Sequence, residues 1–295
     1  MSSCIISCCS IVDVTPQHLA KRGIVFAPFH YFLNGQEYID DMGQSMTHME
    51  FYQAMANGAE VSTSQVNVDE YTQYFRKFLD QGKDILHLTL SSGLSGSYNS
   101  ARIAADILHD EFPERKLYIV DTLGASAGAG LLVDTIADRR DAGDDIDTIY
   151  IWLEAHKLEL HHWFTASDLT WFVKGGRVSK AAGWFGTALK ICPVLNVDNQ
   201  GRLIPRFKIR GKQNSLKELV RQMEEHAIDG KGYSGKCFIS HSACLNDAQL
   251  VAEEIEKRFP NLDGSVQIST IGTTIGSHCG PGTVALFFWG DARVN

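Results

Sequence analysis

The chain has 295 residues, with 35 acidic against 27 basic side chains and a formal charge of −8. That balance argues against nucleic acid as the main partner. A hydrophobic share of 44% is ordinary for a globular protein, and no apolar run approaches the ~18 residues that a membrane span needs.

The length suits one large or two medium domains. Seven cysteines in a chain of this size make no disulfide framework. Adjacent Cys8 and Cys9 would point to opposite faces of a strand, which makes them poor partners for each other. The opening MSSCIISCCSIVDV lacks the basic region and cleavage site of a secretory signal. A reducing cytoplasm is the expected location.

Residues 4–14 read as a first strand, and Thr15-Pro16 opens a helix over 17–22. Residues 24–33 read as a second strand that turns at Asn34-Gly35 into a hairpin partner over 36–39. A helix over 45–55 offers Phe51, Tyr52 and Met55 as an apolar face. The hydroxyl-rich run Val61-Ser62-Thr63-Ser64-Gln65 precedes a helix over 68–79.

Residues 85–108 are the organising stretch. An apolar strand over 85–90 breaks at Ser91-Ser92-Gly93. Tyr98, Ala101, Ala104, Ala105 and Leu108 then recur at helical spacing. A third unit follows, with a strand over 116–120 and a helix over 124–138. Successive strand–helix units predict a mostly parallel sheet with flanking helices. The most charged stretch, RRDAGDDID over 139–147, suggests a boundary, giving lobes 1–150 and 151–295.

In the second lobe, helices are expected over 149–158, 167–172, 181–190 and 215–228. Asn246 with Gln249 forms a capping-box pattern for a further helix. Strands are expected over 163–166, 191–197, 202–210, 236–240, 265–271 and 284–289. Pro193 implies an edge or a bulge, and His161-His162 reads as a partly exposed strand start. The fold class is α/β with two lobes.

Several motifs carry chemistry. The free N–H groups of a helix that opens at Ser91–Ser97 suit a carboxylate or phosphate. The plainer alternative is that Ser92 and Ser95 only cap it. Gly124-Ala125-Ser126-Ala127-Gly128 matches the nucleophile elbow of serine hydrolases, so a lipid or ester hydrolase using Ser126 is the rival reading. Metal-ligand spacings are weak, limited to His241-x-x-Cys244 and His278-Cys279, and the phosphate-loop and dinucleotide fingerprints are absent. No metal or cofactor is expected. Gly280-Pro281-Gly282 implies a tight loop between two strands that fixes His278 at its mouth, where it donates to a ligand or merely occupies a turn.

TSQ (63–65), SSGLSGSY (91–98), VDTLGASAG (120–128), KGGRVSK (174–180) and HCGPGT (278–283) occur in this order. The pattern resembles the DegV family of bacterial fatty-acid-binding proteins over almost the whole chain. The resemblance implies two α/β lobes enclosing one long-chain fatty acid in a buried tunnel. It implies that Thr63, Ser95 and His278 hold the carboxylate, with Arg177 in support. It also implies a non-catalytic carrier without a cofactor; some members present the acid to a separate kinase that forms the acyl phosphate. Two departures stand out: Cys9 occupies the usual acidic position of the first motif, and Val66 follows TSQ where proline is common. A chain of about fourteen buried methylenes gains ~11 kcal/mol gross at ~0.8 kcal/mol each, so tight binding needs no catalysis to explain it.

Arg206, Lys208, Arg210 and Lys212 alternate with Phe207 and Ile209. As one strand, this spacing sends four cations to one face. The expectation is a surface for an acidic partner such as the kinase subunit, against the alternative of an ordinary solvated face.

Overall fold

The computed structural model describes residues 4–167, 169–179 and 191–295. Strand β1 (Cys4–Cys9) gives way to a 3-10 turn over Ser10–Val12, so it is shorter than the expected 4–14. Helix α1 (Pro16–Lys21) starts where proline is pre-organised, and the Thr15 hydroxyl accepts the His18 N–H at 3.1 Å. Strand β2 (Ile24–Ala27) stops at Pro28, and β3 (His30–Leu33) begins beyond it in a different sheet. The single strand expected over 24–33 is therefore two, because proline has no N–H with which to continue a ladder.

Strand β4 (Gln36–Ile39) returns as the expected hairpin partner. Helix α2 (His48–Ala56) follows, with a Thr47/Glu50 capping box, and β5 (Val61–Ser64) pairs on the other side of β3. These strands make a small antiparallel sheet in the order β4-β3-β5. Helix α3 (Val68–Leu79), β6 (Asp84–Thr89), α4 (Ser97–Glu111), β7 (Leu117–Asp121) and α5 (Ser126–Asp141) complete the first half. Strands β2-β1-β6-β7 form a sheet whose pairings are all parallel.

The second half contains α6 (Ile146–His156), β8 (Leu160–Thr165), α7 (Thr170–Lys174), β9 (Ile191–Val197), β10 (Leu203–Arg210) and α8 (Lys212–His226). It continues with β11 (Phe238–His241), α9 (Leu245–Arg258), β12 (Gln267–Thr270), α10 (Thr273–Cys279) and β13 (Val284–Trp289). The sheet order is β10-β9-β8-β13-β11-β12, antiparallel except for the β11–β12 pair. The helix expected over 181–190 lies outside the described residues.

Four expectations change here. Helix α9 is capped at Cys244 without a side-chain bond, so the Asn246/Gln249 box does not form. His278 and Cys279 are the last turn of α10, not a loop between strands. His161 and His162 are each 3% exposed, since β8 is an inner strand. Strand β9 also lies inside the sheet, so Pro193 is not at an edge. The bulge expected near it falls on β10 between Pro205 and Phe207, opposite Leu195 and Val194. Strand β9 tolerates Pro193 because its ladder with β8 ends at Val194, beyond which the Thr165 hydroxyl donates to the Pro193 carbonyl at 2.8 Å.

Helix α5 explains how the halves meet. It contacts β1 of the parallel sheet and β8, β11 and β13 of the larger one. Its Leu131, Leu132, Val133 and Ile136 are all buried, each contributing ~1.5–3 kcal/mol. One core runs without a break from Ile6 and Leu86 through Leu132 to Phe164 and Phe287. A second core, including Leu219 and Val251, lies under α8 and α9. All seven cysteines are free thiols.

Candidate ligand cavity

A cavity of about 490 Å³ lies where the two halves meet, within the size range of small-molecule sites. Leu90, Phe164, Phe172, Val197, Leu203 and Phe287 are among its apolar walls. Thr63, Ser95, Arg177 and His278 all line it too, so residues spread over 216 positions of sequence converge.

Thr63 sits in β5 and His278 in the last turn of α10. Thr63 Oγ1 and His278 Nε2 are 2.7 Å apart. Burial, reinforced by the Arg177 guanidinium, lowers the His278 pKa to about 4, so the ring is neutral at physiological pH. Its Nδ1 has no hydrogen-bond partner among the described residues, and a Cβ on Gly175 would lie 2.3 Å from it. A buried donor without a partner costs more than an unused lone pair. The proton therefore belongs on Nε2, which donates to Thr63 and leaves the threonine hydroxyl free to donate in turn.

Ser95 lies in the turn before α4. Its Oγ accepts the Ser97 N–H at 3.2 Å, which leaves its own O–H available. Helix α4 is capped by Gly96 without a side-chain bond. Arg177 donates from Nε to the Leu94 carbonyl at 3.2 Å and from a terminal nitrogen to the Gly175 carbonyl at 2.5 Å. It thus ties the Ser95 turn to the backbone beside His278. Together these groups present hydroxyl donors and one cation, a set suited to a carboxylate.

Gln65, Thr274 and His162 also line the cavity and were not singled out from sequence. Gln65 Nε2 donates to Ser100 Oγ at 3.0 Å, and Gly96 allows that approach, since a Cβ there would lie 2.4 Å from Gln65 Oε1. The signal was present in the TSQ motif. For Thr274 and His162 the sequence carried none.

Ser126 does stand at a strand-to-helix turn, with φ +58°. Its hydroxyl donates to Asp13 Oδ2 at 2.5 Å and lies 2.8 Å from Ser240 Oγ. Among the described residues no imidazole bonds to it. The cavity-lining His162 is fixed elsewhere, with Nδ1 on the Leu160 carbonyl at 3.1 Å and Nε2 facing the Ala125 N–H at 3.4 Å. The elbow geometry is present without the base that a nucleophilic serine needs.

His161, His226 and Asp291 bring three potential ligand atoms together. The arrangement suits hydrogen bonding better than a metal. The Trp163 indole N–H donates to His161 Nδ1 at 3.3 Å, placing the ring proton on Nε2, which donates to the Asp291 carbonyl oxygen at 2.9 Å. The two imidazoles are stacked, with centroids 4.9 Å apart, so their lone pairs do not converge.

The basic stretch differs from its expected form. Lys212 opens α8 and pairs with Asp247, so it is not on the strand. A bulge between Pro205 and Phe207 displaces Arg206, whose Nε donates to Asn196 Oδ1 at 2.8 Å. Lys208 and Arg210 are exposed on β10, the outer strand of its sheet, while Phe207 and Ile209 pack into the second core.

A DegV family model matches residues 7–291. A DegV domain-containing protein of Clostridium perfringens is 40% identical over 88% of both chains. A protein of Thermotoga maritima named fatty acid-binding protein is 33% identical over 93% of both. The fold matches the Streptococcus pneumoniae fatty acid kinase B3 protein loaded with linoleic acid at a TM-score of 0.82 and 23% identity, covering 99% of this chain and 100% of that one. Among the described residues, no helix is long and apolar enough to cross a membrane. With that family match, its five ordered motifs and its parallel N-terminal sheet, the chain belongs to the DegV family.

Proposed function

We propose that this protein is a non-catalytic carrier of one long-chain fatty acid, enclosed between two lobes that divide ahead of α6 and not at the expected 150/151, which lies inside that helix. Thr63 and Ser95 hold the carboxylate, His278 acts on it through Thr63, and Arg177 braces the site. The observation that carries this reading is the neutral His278–Thr63 pair in a cavity whose apolar walls include Leu90, Phe164, Val197 and Phe287. The imidazole donates to Thr63, and the threonine and Ser95 hydroxyls donate to the acid. Burial of the chain supplies the bulk of the affinity, against the losses of ordering and association.

The relatives favour the same ligand class, since the names of two of them specify fatty-acid binding or a bound fatty acid. The fatty acid kinase B3 match also supports presentation of the acid to a separate kinase, with Arg206, Lys208 and Arg210 as the surface for an acidic partner. A hydrolase using Ser126 is disfavoured because its hydroxyl is engaged by Asp13 and Ser240.

Titration with oleate and with its methyl ester tests the reading. A carboxylate site binds the acid much more tightly; equal affinities would remove the role given to Thr63 and Ser95.

A further inference from the structure

Helix α10 is only seven residues long, too short to hold itself together in water, yet it carries His278. Something outside the helix must fix it.

Its last turn is held by Thr63 in β5, through His278. Its first turn is held by Asp40, which follows β4 in the same small sheet. Asp40 is 1% exposed. One of its oxygens, Oδ2, accepts the Thr274 hydroxyl at 2.5 Å and the Thr274 N–H at 3.3 Å. The other oxygen accepts the Met42 N–H at 3.3 Å, and the Asp40 N–H donates to the Phe29 carbonyl at 2.8 Å. The carboxylate is itself rigidly placed.

The dimensions agree. Strands β4 and β5 flank β3, so they lie ~10 Å apart, at two strand spacings. Thr274 and His278 are one turn apart, ~6 Å along the helix axis, and the two side chains span the remainder. Asp13 and Tyr52 add support at the same end, with Gly272 N–H to Asp13 Oδ1 at 2.8 Å and the Tyr52 hydroxyl to the Ile271 carbonyl at 2.9 Å.

We propose that Asp40 is a positioning residue for the head-group site: by clamping the first turn of α10 to the small sheet, it sets His278 in hydrogen-bonding register with Thr63. Its effect on affinity rests on the fatty-acid reading above; its effect on His278 does not. Asp40 touches no ligand in this scheme and acts only through α10.

The test reads the His278 ring by long-range 1H–15N NMR in ligand-free protein, alongside oleate affinity. Wild type should show the Nε2–H tautomer. In Asp40→Ala, the His278 signals should shift and oleate should bind about tenfold more weakly, the scale of losing one buried hydrogen-bond partner. Asp40→Asn keeps an acceptor oxygen and should restore the His278 signals. Should Asp40→Ala fail to fold, Thr274→Val, which removes only the hydroxyl arm of the clamp, should still perturb them. Wild-type His278 signals in a folded Asp40→Ala, or in Thr274→Val if that is the variant that folds, would overturn the proposal. Wild-type protein that binds no oleate would instead overturn the fatty-acid reading, and the His278 signals would still decide the role of Asp40.

Discussion

Thr63 and His278 are 215 residues apart in the chain and 2.7 Å apart in the fold. Their contact joins the small antiparallel sheet of the first half to the last short helix of the second, across the cavity. Because the histidine is neutral, the proposed relay from His278 through Thr63 to a carboxylate adds no charge to the site.

Removing the relay should weaken binding without unfolding the protein. Thr63→Val or Ser95→Ala is expected to lower fatty-acid affinity by ~1–3 kcal/mol, the cost of a buried carboxylate losing a donor. Isothermal titration with oleate measures this, with circular dichroism as the folding control. Wild-type affinity in both variants would place the carboxylate elsewhere.

Ester hydrolysis should be absent. Wild-type protein and Ser126→Ala are expected to leave a p-nitrophenyl acyl ester equally intact. Turnover by wild type that Ser126→Ala abolishes would revive the hydrolase.

Acid should destabilise the fold well before ordinary carboxylates protonate. Burial lowers the pKa of His87 to about 3 and that of His161 and His278 to about 4, and drops His162 well below its usual range. The unfolded chain protonates these rings near ~6.5, so it binds more protons than the folded one between there and about 4. Stability therefore falls as pH drops through that window. Asp13, raised by burial to about 7, and Asp40, also raised, act in the opposite sense: their contribution is lost as pH rises. Four imidazoles outweigh two carboxylates, so the urea midpoint should be lower at pH 5 than at pH 7.5. An equal or higher midpoint at pH 5 would reverse that balance.

The legibility of the fold varied with the kind of signal. Parallel strand–helix units were visible because each combined an apolar run, a Gly/Ser turn and helical spacing, as at 85–108. Helix α10 was not visible. Its Thr273-Thr274-Ile275 run is β-branched and suggests a strand, and its helical state depends on Asp13 and Asp40, more than two hundred residues upstream. Tertiary contacts override local propensity there. The burial of His161 and His162 was missed for a related reason: the inner position of β8 is set by β9 and β13, not by its own sequence. Thr63, Ser95, Arg177 and His278 were named through ordered motifs, while their convergence on one cavity became visible only in the fold.

Charge reversal on β10 should separate carriage from presentation. Arg206→Glu with Arg210→Glu is expected to abolish phosphorylation of the bound acid by a cognate kinase while leaving fatty-acid content intact. A radiometric kinase assay on preloaded protein reads the first, and lipid extraction the second. Unchanged phosphorylation would make the strand an ordinary solvent face.

The most direct measurement of the central claim is native mass spectrometry of the purified protein, followed by identification of what it releases on denaturation. One intact long-chain fatty acid per chain, depleted in Thr63→Val, is the expected result. Protein that carries no such acid and takes up none when oleate is supplied would contradict the account.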